Sequence, residues 1–205
     1  MSHDVPRARD WDQRYAEPGF QFGTEPNDFL REVAHHLPPG RVLCLAEGEG
    51  RNAVWLARQG HAVTGMDRSR VGLQKAERLA AERGVTIATQ LADLVTFDLG
   101  IDAWQGIVSI FAHVEADVRR RVHAAVPKAL VPGGVFLLEA YTPAQVGRGT
   151  GGPPEDERMV SLERLRAELQ GLDWLVAREI ERDVIEGPSH SGRSSVVQLV
   201  ARRPA

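Results

Sequence analysis

The chain has 205 residues, 42% of them apolar and 26% charged, with a formal net charge of −3. That is the make-up of an ordinary globular chain long enough for one packed core, and it offers no basic field for a nucleic-acid partner. The lone cysteine, Cys44, excludes an internal disulfide or a cysteine-based metal site, and no metal is expected.

The first ten residues are polar, and no apolar run is long enough to span a bilayer. A cytoplasmic chain with no membrane partner is therefore expected. Trp11 to Gly23 mixes aromatic and charged residues around a Pro18-Gly19 turn. Thr24 or Asn27 is placed to cap a helix running to about Leu37, with Phe29, Leu30, Val33, Ala34 and Leu37 at helical spacing; Pro38-Pro39-Gly40 ends it. Strand one is about Arg41 to Ala46, and it stops at Gly48-Glu49-Gly50. A helix from Arg51 to Gln59 follows at once and ends at Gly60. Strand two, His61 to Met66, ends on Asp67. Ser69 caps a helix to Arg83 with Leu73, Ala76 and Ala80 inward.

Val85 to Leu91 is strand three, and Gly106 to Phe111 is strand four. Val118, Val122, Val126 and Leu130 mark a helix that Pro127 should kink or restart. Arg119-Arg120-Arg121 on it reads as a solvated face. Pro132-Gly133-Gly134 turns into strand five, Val135 to Tyr141. Thr142 to Asp156 is a Gly- and Pro-rich loop, either a lid or an ordinary loop. A short helix from Ser161 to about Leu169 precedes a hairpin, Leu175 to Ile185 and Ser195 to Ala201, which turns over Gly187 to Gly192. Strands alternating with helices predict a doubly wound, mostly parallel sheet, seven-stranded once the antiparallel C-terminal hairpin is added. Residues 1–205 read as one domain, with residues 1–40 as an N-terminal arm and helix over the site. Ligands in such sheets bind beyond the carboxyl ends of the strands.

A glycine turn between strand and helix lets backbone approach a ligand and leaves helix N–H groups open. A carboxylate about twenty positions later is the usual partner of a ribose hydroxyl pair. Glu47-Gly-Glu-Gly50, Asp67, Asp93, the Pro132-Gly133-Gly134 turn and the closing hairpin together resemble the class I S-adenosylmethionine-dependent methyltransferases. Gly50-Arg51-Asn52 and Trp11-Asp-Gln-Arg-Tyr15 are most similar to the tellurite-resistance and thiopurine kinds, which act on small molecules. The resemblance implies a Rossmann-like methyltransferase fold, S-adenosylmethionine as cofactor and direct displacement at its sulfonium methyl onto a small acceptor.

It also implies the cofactor-binding set. Gly48, Glu49, Gly50, Arg51 and Asn52 form the turn, and Asp67 with Arg68 stands at the ribose. Asp93 and Leu94 would meet the adenine edge, Ile110 and Phe111 its face, and Trp11 and Tyr15 would close over it. The same family commonly has an acid at the position of Cys44 and glycine at that of Ala46. Here the acid stands at Glu47, which either meets the amino group of the cofactor's methionine end or holds the turn by accepting backbone N–H bonds. Plain structural readings also exist for Asp93 as an Asx-turn, for Ile110 and Phe111 as core, and for Trp11 and Tyr15 as a packed arm.

Catalytic candidates come from topology. His113 follows strand four and Tyr141 ends strand five. If the first hairpin strand is parallel to the others, its turn opens at the same edge, with His190 and Arg193. His113 is the candidate base or orienting group, because histidine titrates near neutrality; a surface or capping role is the alternative. No Asn/Asp-Pro-Pro-aromatic sequence follows strand four, which removes the usual cue for methylating an exocyclic amine of a base. Two other classes fit part of the pattern. Gly48, Gly50 and Ala53 suit a nicotinamide-dependent oxidoreductase, though no Tyr/Lys pair supports it. A non-catalytic cofactor-binding module is the other. The acceptor and the oligomeric state are not legible.

Overall fold

The computed structural model describes residues 8–153 and 156–205. The expectations for residues 1–7, and for positions 154–155 of the 142–156 loop, lie outside the described residues. Seven strands form one sheet: β1 (Arg41–Leu45), β2 (Ala62–Asp67), β3 (Ala88–Leu91), β4 (Trp104–Ile110), β5 (Leu130–Tyr141), β6 (Asp173–Ile185) and β7 (Ser191–Arg202). Their spatial order is β3-β2-β1-β4-β5-β7-β6. Strands β1 to β5 pair in parallel, and β7 runs antiparallel to both β5 and β6. So β6 runs with the first five strands, and its turn into β7 opens at their carboxyl edge.

The helices are α1 (Ala8–Ala16), α2 (Asp28–Val33), α3 (Arg51–Arg58), α4 (Arg70–Glu82), α5 (Ala116–Ala129) and α6 (Leu162–Glu168). Both faces of the sheet are covered because its strands are apolar on both sides. In β1, Val42 and Cys44 pack with Phe29, Leu30, Ala53 and Leu79 beneath α2, α3 and α4. Leu43 and Leu45 pack with Val122, Val126 and Leu165 beneath α5 and α6. Near-continuous apolar runs are what a parallel sheet buried on both faces requires.

Several boundaries differ from expectation for physical reasons. Asn27 is the cap of α2, its side chain accepting the N–H of Leu30 at 2.9 Å. The predicted helix to Leu37 is α2 plus a 3₁₀ turn, Ala34–His36. α5 is one helix through Pro127 and does not restart there. The proline falls in the last turn, so only its own missing N–H is lost before the helix ends. Pro132-Gly133-Gly134 lies within β5 as a bulge: Trp104 pairs with Leu130 and Gly106 with Val135, so residues 131–134 face Gln105 alone.

In the arginine run, Arg120 and Arg121 are exposed as expected, and the reading is corrected at Arg119 alone. Arg119 is buried, with its guanidinium on Glu168 at 3.0 Å and on the carbonyl of Glu157 at 2.8 Å. His123 shares Glu168 at 2.7 Å, which clips α5 to α6. Although burial opposes ionisation of Glu168, these hydrogen bonds hold its carboxyl down at about 2.

Candidate functional site at the carboxyl edge

β1 and β4 are neighbours that lead their chains in opposite directions across the sheet, so the crevice between their carboxyl ends is the switch point. Two non-glycine residues with positive φ stand there: Ala46 (φ 48) after β1 and Phe111 (φ 53) after β4. Each left-handed residue costs on the order of 1–2 kcal/mol, and such strain collects at functional sites. The resemblance noted from the sequence implies glycine at the position of Ala46, and a glycine would hold this φ without that cost.

The turn after β1 has little room for side chains. Gly50 (φ 91) passes so close to α4 that a Cβ there would stand 2.5 Å from the Cβ of Ala76, and one on Gly48 (φ 61) would stand 2.5 Å from the Tyr15 hydroxyl. Glu47 turns back on its own helix. Its Oε1 accepts the N–H of Asn52 at 3.0 Å and of Ala53 at 2.8 Å, capping α3. Burial pushes its carboxyl up to about 7, against those bonds and the nearby Arg51 charge. Asp67 is 6% exposed; Oδ2 accepts the N–H of Gly48 and Oδ1 that of Ser69, each at 2.8 Å. Burial raises its pKa despite them.

Glu49 faces the arm. It pairs with Lys75 Nζ at 2.9 Å and accepts the N–H of Gln21 at 2.7 Å. Lys75 also donates to the carbonyls of Glu17 (2.9 Å) and Gly19 (2.6 Å). This buried pair latches residues 17–21 over the start of α4. Asp12 of α1 accepts from Ser69 Oγ at 2.5 Å, and Tyr15, 4% exposed, lies against Gly48 with Trp11 at 5.5 Å. Burial, then the charges of Asp67 and Glu49, hold the Tyr15 hydroxyl well above its ordinary range.

At the end of β3, Asp93 accepts the N–H of Val95 at 2.9 Å in an Asx-turn and stands 3.8 Å from Arg68. Leu94 and Ile110 are buried, and Phe111 is half-buried.

The three catalytic candidates do meet. His113 and Tyr141 stack with ring centroids 5.3 Å apart, and Tyr141 and His190 lie 5.4 Å apart. Phe111 touches both Tyr141 (4.6 Å) and His190 (4.9 Å), and Phe22 reaches His190 at 4.6 Å. His113 is committed on both nitrogens: Nδ1 faces the carbonyl of Phe111 at 3.0 Å, and Nε2 accepts the N–H of Tyr141 at 3.1 Å. Burial brings its pKa down to about 4. It ties the ends of β4 and β5 together. Arg193 turns outward to Glu181 and Asp183 and does not join this cluster.

A buried polar network supports the cluster, and sequence reasoning missed it. Glu139 of β5 accepts from Asn27 Nδ2 (2.5 Å), Arg182 Nε (2.8 Å) and Gln198 Nε2 (2.6 Å). Glu186, in the β6–β7 turn, accepts from Asn27 (2.8 Å), Arg182 (3.0 Å) and Arg51 Nη2 (2.5 Å). Asn52 accepts the backbone N–H of Asn27 at 2.9 Å. The signal was present in the sequence: Glu139 is one carboxylate in an apolar strand, and a buried charge needs a partner. Among the described residues no group of three or more His, Cys, Asp or Glu side chains is placed to hold a metal ion, and no helix is long and apolar enough to cross a membrane.

Comparison with known proteins fits this geometry. Residues 42–134 match the model of a methyltransferase domain family. They run from β1 through the bulge of β5. The 2-heptyl-1-hydroxyquinolin-4(1H)-one methyltransferase of Mycobacteroides abscessus is 28% identical over 159 residues, 73% of this chain and 70% of that protein. A solved structure described under the conversion of a disulfide bond into a thioacetal group during echinomycin biosynthesis superposes with a TM-score of 0.74, at 23% identity, covering 96% of this chain and 91% of that one. TehB from Haemophilus influenzae gives 0.71 at 16% identity, covering 96% and 66%.

Proposed function

We propose that this chain is a class I S-adenosylmethionine-dependent methyltransferase and that its carboxyl-edge crevice binds the cofactor beside a small-molecule methyl acceptor; the methyltransferase-domain match over residues 42–134 and the similarity to a methyltransferase support this reading. The family and fold imply S-adenosylmethionine binding, and the residues present suit it. Each carboxylate oxygen of Asp67 carries one backbone N–H and keeps lone-pair capacity for a ribose hydroxyl. That pre-set carboxylate beside the Gly48 turn is the observation that carries the reading.

Around it, Gly48 and Gly50 admit the close approach, and Asp93, Leu94, Ile110 and Phe111 would surround the adenine. Trp11 and Tyr15 would close over the top, with α1 held through Asp12 on Ser69 and residues 17–21 by the Glu49–Lys75 latch, so residues 8–40 act as a cover. Glu47, its carboxyl pushed up to about 7 by burial, would ionise more fully beside a cation, and the amino group of the methionine end is such a cation.

The sulfonium supplies an already activated methyl group, so the protein's task is alignment in a site that excludes water. His113 serves that alignment as a positioning residue: with both nitrogens bonded and its pKa near 4, it fixes Phe111 and Tyr141 rather than taking a proton. Tyr141 and His190 face the acceptor. The curated relative acts on a hydroxyquinolone, and a heterocyclic hydroxyl is the acceptor type to test first. Incubation with methyl-deuterated S-adenosylmethionine and a panel of hydroxylated heterocycles, thiols and amines, read by mass spectrometry, is expected to give a labelled methyl product from a heterocyclic hydroxyl. Cofactor binding with no labelled product from any acceptor would favour the non-catalytic module.

A further inference from the structure

Among the described residues, four buried side-chain polar atoms have no hydrogen-bond partner: Arg51 Nη1, Tyr141 Oη, His190 Nδ1 and His61 Nδ1. His61 stands just before β2, at the far edge of the sheet. The other three belong to the carboxyl-edge cluster, and their residues are 7%, 0% and 9% exposed. Burying a polar group without a partner costs about 1–3 kcal/mol. Three such groups at one edge, in a chain that satisfies nearly every other buried polar atom, mark a place built for a ligand.

The donor set states what kind. Arg51 only donates, and its other terminal nitrogen is fixed on Glu186 at 2.5 Å. Burial raises the Tyr141 pKa well above its ordinary value, so the hydroxyl keeps its proton to donate. Ser194, which donates to the carbonyl of Gly192 and meets the Thr150 hydroxyl, each at 3.1 Å, stands beside the Tyr141 hydroxyl and acts on it weakly in the opposite sense. His190 stays neutral, its pKa brought down to about 3 by burial and then by the Arg51 charge. A guanidinium and a phenol proton on either side of the His190 ring suit an oxygen with negative charge and repel a cation. The walls are the rings of Phe111 and Phe22, which suit a planar aromatic body.

We propose that Arg51 Nη1, Tyr141 Oη and His190 Nδ1 form an acceptor subsite that holds the anionic oxygen of a planar aromatic methyl acceptor. This rests on the methyltransferase reading above and assigns Arg51 to the acceptor rather than to the cofactor. The placement supports the division. Tyr141 ends β5 and His190 closes the β6–β7 turn, whereas the carboxylate suited to ribose ends β2, three strands from β5. Gly151 and Gly152 lie directly on Tyr141 and His190, so their backbone must yield to admit the acceptor; a Cβ on Gly151 would stand 2.7 Å from the Tyr141 hydroxyl.

The test is calorimetric titration of the full chain, saturated with S-adenosylhomocysteine, with 1-hydroxyquinolin-4-one, and with quinolin-4-one as the control lacking the ionisable oxygen. Wild type is expected to bind the hydroxylated probe more tightly than the control. Tyr141→Phe removes only an unpartnered hydroxyl, so its melting temperature should not fall. Its affinity for the probe should drop about tenfold or more, while its affinity for S-adenosylhomocysteine stays within about twofold. Arg51→Lys, which keeps a charge for Glu186, should show the same split. Equal probe affinity in wild type and Tyr141→Phe, no probe binding by the loaded wild type, or equal losses of probe and S-adenosylhomocysteine in Arg51→Lys would each overturn the assignment. Failure of wild type to bind S-adenosylhomocysteine at all would overturn the methyltransferase reading together with it.

Discussion

Glu139→Ala is expected to destabilise the protein by about 3–5 kcal/mol, the cost of removing one partner from a buried ion pair. Glu139 has no exposed surface and accepts from Asn27, Arg182 and Gln198 at 2.5–2.8 Å. With it gone, the cluster of Arg51, Arg182, Glu139 and Glu186 changes from formally neutral to +1. Arg182 then keeps Glu186 and the more distant, exposed Asp28 at 3.7 Å, and the buried side chains of Asn27 and Gln198 each lose a bond. Urea unfolding should show a lower midpoint with an unchanged slope. Glu139→Gln, which keeps an acceptor oxygen, should lose less. A midpoint for Glu139→Ala equal to wild type would show that the network does not hold α2, α3 and the hairpin together. The consequence reaches the site, because Glu186 in that network orients Arg51.

The second large effect concerns ligand affinity. Asp67→Asn is expected to weaken S-adenosylhomocysteine binding on the order of tenfold to a hundredfold while the chain still folds. An amide has one acceptor oxygen where the carboxylate has two, so either the Gly48 or the Ser69 N–H is left facing an NH₂ group. A charge-assisted hydrogen bond to ribose is lost as well, about 1.5–3 kcal/mol. Calorimetry, with a thermal melt as the check on folding, reads both. Unchanged affinity in a folded variant would remove Asp67 from the ribose role.

Local chemistry was legible in the sequence. The run from Val42 to Asp67 announces strand, glycine turn, helix and strand because apolar blocks and glycines act within a few residues of themselves. The caps at Asn27 and Ser69 were readable for the same reason. The meeting of His113, Tyr141 and His190 was legible only on the condition that β6 runs parallel to the first five strands, a condition the antiparallel pairing of β7 to both β5 and β6 meets.

What stayed hidden depends on partners far along the chain. No helix was expected over Ala8–Ala16; it mixes charged with aromatic residues and shows no long apolar stripe, and it is docked on α4 through Asp12 and Tyr15, more than fifty positions away in sequence. Arg119 was expected in solvent because its partner Glu168 lies 49 positions on. The tie from Arg51 Nη2 to Glu186, 135 positions further along the chain, was likewise out of reach of local reading. Glu47 fills the cap of α3, a role open to it in the sequence, and the cofactor role is carried forward as a proposal.

The most direct test of the whole account is calorimetric titration of the wild-type chain with S-adenosylhomocysteine and, separately, with NADH. Binding of one S-adenosylhomocysteine per chain with no heat from NADH is the predicted result. Saturable NADH binding with none for S-adenosylhomocysteine would contradict it and turn the same glycine crevice over to a nicotinamide cofactor.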